Sequence, residues 1–239
     1  MESRIDEVAD GIYRINTYFP EMDFGFNQYL IDADEPLLFH TGMRALFPVV
    51  TEQIAKVTPV ERLRWITFGH VEADECGAMN QFLAVAPQAT VAHGAVGCMV
   101  QVNDLADRPP HPLGPDEVID LGGKRVRNID TPHVPHGWDA HVLYEEVTGT
   151  LLCGDLFTAT GKSEPLAQDD LIGPALAAED VFKATALTVS TAPTIRSLAD
   201  LNPNTLALMH GSAYNGECSK QLVELADGYE QLFEAARAS

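Results

Sequence analysis

Basic residues are scarce in this chain. Against 35 aspartates and glutamates stand 15 lysines and arginines, for a formal net charge of -20. A protein that neutralises nucleic-acid phosphates or an anionic membrane surface carries the opposite bias, so both partner classes are excluded. Part of the acidic excess is available to bound cations. Cysteine is sparse as well: Cys76, Cys98, Cys153 and Cys218 are widely spread and none forms a Cys-x-x-Cys pair. That spacing argues against a zinc knuckle, a redox dithiol or a disulfide-dense secreted scaffold. No apolar run approaches the ~18 residues that a membrane span requires, and MESRIDEVADGIYRI has no apolar stretch of signal-peptide length, so cytoplasmic residence is expected. A glycine-rich phosphate loop is also missing. The one adjacent glycine pair, Gly122-Gly123, reads as a hairpin turn, and no flavin is expected in this chain.

What is present suits one domain over residues 1–239, with an apolar share of 46% that is ample for a core. Residues 11–15, 27–31 and 36–39 read as strands, followed by a helix over 46–57 with apolar positions at Leu46, Val49, Val50, Ile54 and Val57. A strand over 63–68 leads to Gly69-His70, then a helix over 75–85 and a short strand at 89–92. The Pro-rich stretch 108–115 reads as irregular. Strands return at 118–121, 125–129, 140–144 and 150–153. A largely helical stretch over 174–200, a strand at 205–208 and an amphipathic helix over 218–236 complete the pattern. Two strand-rich blocks, each accompanied by helices, predict a layered α/β architecture with a sheet pair inside.

The stretch ITFGHVEADECGAMNQF, residues 66–82, sets His70, Glu72, Asp74 and Glu75 immediately after a strand. Helix-start chemistry accounts for Asp74 or Glu75 singly, since a carboxylate there satisfies free amides and suits the helix dipole. It does not account for His70 and Glu72. Three more turns carry candidate ligands beside strand ends: His136, Asp155 and His210. Loops above a rigid sheet are where sites assemble, and this placement separates His70, His136 and His210 from most of the other histidines, at 40, 93, 111, 133 and 141. For those five, a surface or hydrogen-bonding role is the simpler reading.

The ordered set His70-x-Glu72-x-Asp74-Glu75, His136, Asp155 and His210 resembles the metallo-β-lactamase fold and, within it, the flavodiiron or oxygen-binding diiron branch. Hydrolytic members open with His-x-His-x-Asp-His, whereas the diiron branch has Glu at the third position, as Glu72 is here. His136-Gly137-Trp138-Asp139-Ala140 is similar to the branch's His-Trp-Pro-Asp-Ser turn, with Gly137 inserted and no Pro. Phe26-Asn27-Gln28-Tyr29-Leu30-Ile31 resembles its early Asn-x-Tyr-Leu-Ile strand. The resemblance implies a four-layer αβ/βα sandwich with two mixed sheets. It also implies two iron ions: His70, Glu72 and His136 on the first, Asp74, Glu75 and His210 on the second, and Asp155 bridging. Two positions depart from the pattern. Glu75 stands where the branch normally has His, and His40 where an Asp commonly ends the strand and supports the ligands.

Three imidazoles and four carboxylates without a thiolate suit iron or manganese, and zinc can substitute because the divalent affinity order places it above iron. The function implied is a non-heme diiron protein that binds dioxygen or another small diatomic gas and reduces it. Flavodiiron enzymes carry a flavodoxin-like domain beyond this one, for which the chain leaves no room, so a separate electron-donor protein is expected, as is a homodimer. Phe24, Phe26, Trp138 and Phe157 are candidates for a dry gas pocket. Two other readings stand beside this one: a dinuclear metallohydrolase, which would need a substrate cleft, and a non-catalytic oxygen or redox sensor.

Overall fold

The computed structural model describes residues 1–238. Strands β1 (Glu2–Ala9), β2 (Ile12–Phe19), β3 (Phe24–Ile31), β4 (Leu37–Phe39), β5 (Trp65–Thr67), β6 (Thr90–Gly94) and β7 (His111–Leu113) form one sheet in chain order. Its first four strands are antiparallel and the rest parallel, so the sheet is mixed. The second sheet contains β8 (Val118–Asp120), β9 (Arg125–Asp130), β10 (His141–Glu145), β11 (Thr150–Leu152), β12 (Leu166–Ala167), β13 (Thr205–Ala207) and β14 (Ala213–Tyr214). Its order is β12-β14-β13-β11-β10-β9-β8, with parallel pairing at β11–β13 and β12–β14.

The two-residue period of the strands sorts side chains into three apolar layers. Between the sheets lie Tyr29, Ile31, Leu37, Phe39, Leu143 and Leu152. Their neighbours Phe26, Leu30 and Leu38 turn outward to pack on the helices Phe47–Ile54 and Met79–Val85. Val142 and Leu151 turn outward on the other side, toward the helices Ile172–Phe182, Thr191–Ala199 and Cys218–Ala238. Central strands are thus covered on both faces, which is why they read as almost unbroken apolar runs. Among the described residues, no helix is long and apolar enough to cross a membrane.

Three expected helices come out shorter or divided. The first is confined to Phe47–Ile54, with Pro48 in its opening turn where a missing N–H costs nothing. The second splits into Ala73–Cys76 and Met79–Val85, and Ala78 N–H between them donates to Gly42 O at 2.9 Å. The helical stretch expected over 174–200 breaks at Lys183, whose left-handed φ of 50° ends Ile172–Phe182. The Pro-rich segment expected to be irregular contains β7. As an edge strand it tolerates the missing donor of Pro112. Leu143→Ala, which empties a fully buried position between the sheets, is expected to destabilise the protein by about 2–5 kcal/mol in urea unfolding; a loss below about 1 kcal/mol would mean that the layer collapses around the gap.

Candidate metal centre

Every expected ligand except His136 follows directly on a strand or opens a short helix. His70 and Glu72 lie in the turn after β5, and Asp74 and Glu75 in the helix Ala73–Cys76. His136 is in the β9–β10 loop, Asp155 follows β11 and His210 follows β13. The two sheets bring these four loops to one rim.

His70, Glu72, His136 and Asp155 form a metal-binding cluster, with one donor atom from each lying within 4.8 Å of all the others. Glu72 Oε2 is 2.7 Å from His70 Nε2 and 3.2 Å from His136 Nε2. Asp155 Oδ2 is 3.2 Å from His136 Nε2 and 3.9 Å from His70 Nε2. The other oxygen of Asp155 faces a different group: Oδ1 lies 3.4 Å from His210 Nε2, which is 3.6 Å from Asp74 Oδ2. Asp155 Oδ1 is buried without a well-aligned hydrogen bond. One carboxylate therefore serves two donor groups, one oxygen to each.

The rings are turned by what binds their outer nitrogens. His210 Nδ1 donates to Gly25 O at 2.9 Å, which leaves Nε2 directed inward. Its turn is held by the first sheet. Asn27 Nδ2 donates to Leu208 O and Gly211 O at 2.7 and 2.8 Å, Tyr29 Oη to Leu208 O at 2.8 Å, and Arg14 Nη2 to Gly211 O at 2.7 Å. Phe24 stacks on the His210 ring at 4.4 Å and Phe26 meets it edge-on at 5.3 Å.

Glu75 sits differently from the other acids. Its carboxylate is fully buried; Oε2 accepts from His70 N–H at 2.7 Å, and Oε1 lies 3.2 Å from His70 Nδ1 and 3.4 Å from His40 Nε2. His40, also fully buried, reaches Asn27 O through Nδ1. The two positions that depart from the family pattern are thus in contact with each other. Nothing in the sequence signals this pairing, because 35 residues separate them.

Electrostatics follow from crowding carboxylates together. Burial works against a charged His70, yet Glu75, Glu72 and Asp155 drive its imidazole up to about 12. Hydrogen bonds to Asp155 and Glu72 lift His136 to about 9. The same two histidines, His136 foremost, hold Glu72 down to about 2. Burial and then the Asp155 charge push Asp74 up to about 6. Positive charge is strongly favoured here, and the donors are nitrogen and oxygen only. Inward ring nitrogens and an unpaired buried carboxylate oxygen fit hard or borderline divalent ions.

A cleft of about 290 Å³ adjoins the cluster. Phe24, Ala175, Ala178 and Phe182 give it apolar walls, and Glu179, Thr185 and Tyr229 are among its polar lining. Among the described residues, no lysine or arginine lines it. Of the four aromatics expected near the ligands, Phe24 lines the cleft and Phe26 touches His210. Phe157 is core, packed in the layer outside the second sheet. Trp138 is 41% exposed and borders a separate cavity beside Gly97 and Pro132. The helix Ile172–Phe182 contributes much of the wall, and its residues carry no motif that would have announced them.

Two mixed sheets packed face to face, flanked by helices and bearing histidine and carboxylate loops on one rim, define the metallo-β-lactamase fold. Residues 24–211 match the family described as "ODP family beta lactamase", and the chain belongs to that family. In structure it is similar to rubredoxin oxygen:oxidoreductase from Desulfovibrio gigas, with a TM-score of 0.78 and 18% identity over 95% of this chain and 62% of that one. It is also similar to a fragment, residues 1–254, of diflavin flavoprotein A 5 from Nostoc sp., with a TM-score of 0.77 and 16% identity over 99% and 97% of the two chains. In sequence it is similar to diflavin flavoprotein A 2 of Synechocystis sp., 27% identical over 138 residues, 55% of this chain and 23% of that protein. The chain spans about a quarter of the length of the curated relatives it matches.

The charge pattern gives opposite pH dependences to the stability of the metal-free protein and to the increment that metal adds. Histidines raised in the folded state stabilise it fully below their unfolded value of ~6.5 and lose that effect as pH rises. For His136 the loss runs up to about 9 and for His70 up to about 12. In chelator, the melting temperature is expected to fall from pH 6.5 to pH 9. The increment on adding a divalent ion is expected to grow over that range, because the metal competes with the same protons. Scanning calorimetry checks both slopes; parallel slopes would mean that the histidines do not bind the metal.

Proposed function

We propose that this protein is a non-heme diiron protein that binds dioxygen and reduces it with electrons from a separate donor protein. The observation that carries this reading is the division of Asp155, whose two oxygens face the His70–Glu72–His136 group and the Asp74–His210 pair. In this proposal His70, Glu72 and His136 hold a first ion, Asp74 and His210 a second, and Asp155 both. Iron bound there would supply the redox equivalents and the Lewis acidity that polarises a small diatomic ligand.

The chain's own residues set the conditions. Phe24 and Phe26 shield the His210 ring from water, and the Gly25 carbonyl fixes which of its nitrogens faces inward. Among the described residues no lysine or arginine lines the cleft, so an anionic group there would meet only the site's histidines and its ions. We assign Glu75 to His70 rather than to the second ion. Its two oxygens bind the His70 amide and approach the ring's outer nitrogen, an arrangement that orients a metal-bound imidazole and raises its basicity. Homodimerisation and a cytoplasmic setting belong to the same proposal. A sedimentation measurement giving only monomer would remove the dimer.

The cleft favours one second reading. Its volume exceeds what a diatomic gas needs, since a water molecule's share of liquid volume is ~30 Å³. A dinuclear hydrolase acting on an uncharged or cationic ester would use that space. Hydrolysis of p-nitrophenyl acetate by the zinc-loaded protein, lost in Asp155→Ala, would favour it over oxygen reduction.

Anaerobic loading with ferrous iron is expected to give two irons per chain and an optical change on admitting air. With an artificial electron donor, the protein is expected to consume oxygen. Asp155→Ala is expected to lose both ions, and one iron retained at wild-type affinity in that variant would refute the bridging role. Glu75→Ala should keep the second ion at wild-type affinity while weakening the first about 10–100-fold, as for other residues that orient ligands. Loss of the second ion alone would instead make Glu75 its ligand.

A further inference from the structure

Behind the ligand loops lies a buried chain of polar groups that, among the described residues, forms no hydrogen bond to a candidate ligand side chain. His93, in β6, is fully buried, and its Nε2 is 3.1 Å from Asp139 Oδ2. Its Nδ1 is 3.1 Å from His141 Nε2, which in turn is 2.6 Å from Phe68 O. At the other end, Asp139 Oδ2 accepts from Val71 N–H at 3.2 Å. His141 also donates its own backbone N–H to Gly69 O at 2.8 Å.

The Asp139 carboxylate only accepts, so His93 Nε2 carries a proton. His141 is held on three sides: its Nε2 faces His93 and Phe68 O, and its Nδ1 faces Asn128 Oδ1, whose amide nitrogen donates to Gly114 O and Asp130 Oδ1 at 3.1 and 3.0 Å. Burial, with His93 beside it, pushes His141 down to about 3. Both rings of the pair are thus fixed in position.

The residues held at the ends are Phe68, Gly69 and Val71, which bracket His70 and precede Glu72. The residues doing the holding, Asp139 and His141, belong to the segment that carries His136. The three side chains assigned to the first ion alone thus lie on two loops joined by this chain, and the shared Asp155 lies on neither. Asp74 and His210 are outside it. His93 is the central link and the one member contributed by a third element. It has a dedicated seat: Phe68 stacks on its face at 4.8 Å, and a Cβ at Gly97 would meet its Nε2 at 2.6 Å.

We propose that His93, acting through Asp139 and His141, is a positioning residue for the first metal ion, setting the separation between the His70–Glu72 turn and the His136 loop. This rests on the dinuclear reading above. Its signature is selectivity: disturbing His93 should affect one ion and spare the other.

Cobalt(II) titration of the metal-free protein, followed optically and by calorimetry, tests it. His93→Leu removes both hydrogen bonds and is expected to weaken the first ion about 10–100-fold while leaving the second unchanged. His93→Gln offers an amide N–H toward Asp139 and a carbonyl toward His141, and should recover most of that loss. Gly97→Ala displaces the ring without altering any polar group and should reproduce the selective loss in milder form. If His93→Leu does not fold, Gly97→Ala and His93→Gln carry the test. Equal weakening of both ions, or none, in the folded variants would overturn the proposal even if the melting temperature fell. A wild-type protein that takes up fewer than two cobalt ions would instead sink the dinuclear reading itself.

Discussion

Everything in this molecule depends on one buried carboxylate that must face two ways. Asp155 turns Oδ2 to His136 and His70 and Oδ1 to His210. Burial disfavours its charge, and only the surrounding imidazoles hold its carboxyl well below the usual range. Such a group is tolerated only where cationic partners are guaranteed on both sides. Strand β11, central in the second sheet, supplies the rigidity, and the loops of both sheets supply the partners. The fold's task is to keep those loops at fixed distances while they carry like charges.

That task explains why so many polar groups lie deep in an otherwise apolar sandwich. Asn27, Tyr29 and Arg14 from the first sheet grip the His210 turn of the second. His40 and Glu75 pair beneath His70. Each of these side chains is buried: Asn27, Tyr29 and Arg14 bond backbone oxygens of the His210 turn, Glu75 reaches the His70 amide and the outer nitrogen of its ring, and His40 stands one contact further back, against Glu75 and Asn27 O. Apolar packing alone sets the spacing between the sheets, but it is non-directional. Hydrogen bonds add the orientation that a coordination site requires.

Much of this was legible in the sequence, and the limits have physical causes. Strands such as Phe24–Ile31 and His141–Glu145 announce themselves because alternate residues must fill different layers. His70, Glu72 and Asp74 are legible because a strand end followed by a closely spaced histidine and carboxylates admits few structural explanations. Glu75 is harder to read. Whether a carboxylate in the first turn of a helix points toward the ions or back to the preceding amide depends on His40, which is remote in sequence. For His93 the sequence supports only a hydrogen-bonding or surface role, because its buried links to Asp139 and His141 span 46 and 48 residues. The split helix at Gly77–Ala78 follows from a tertiary bond to Gly42, which no local propensity encodes.

The grip on the His210 turn has a consequence in time. Arg14 and Gly211 are 197 residues apart, and Asn27 and Leu208 are 181 apart. Contacts of such separation form late, because a long loop must close before they can contribute. On the ribosome, the turn after β5 and the β9–β10 loop emerge well before the last strands of the second sheet. A growing chain therefore holds His70, Glu72 and His136 while the His210 turn is still unmade. Only when the residues after β13 reach the strands formed first does His210 take its place beside Asp155, so completion of the rim doubles as a check that the whole chain has folded.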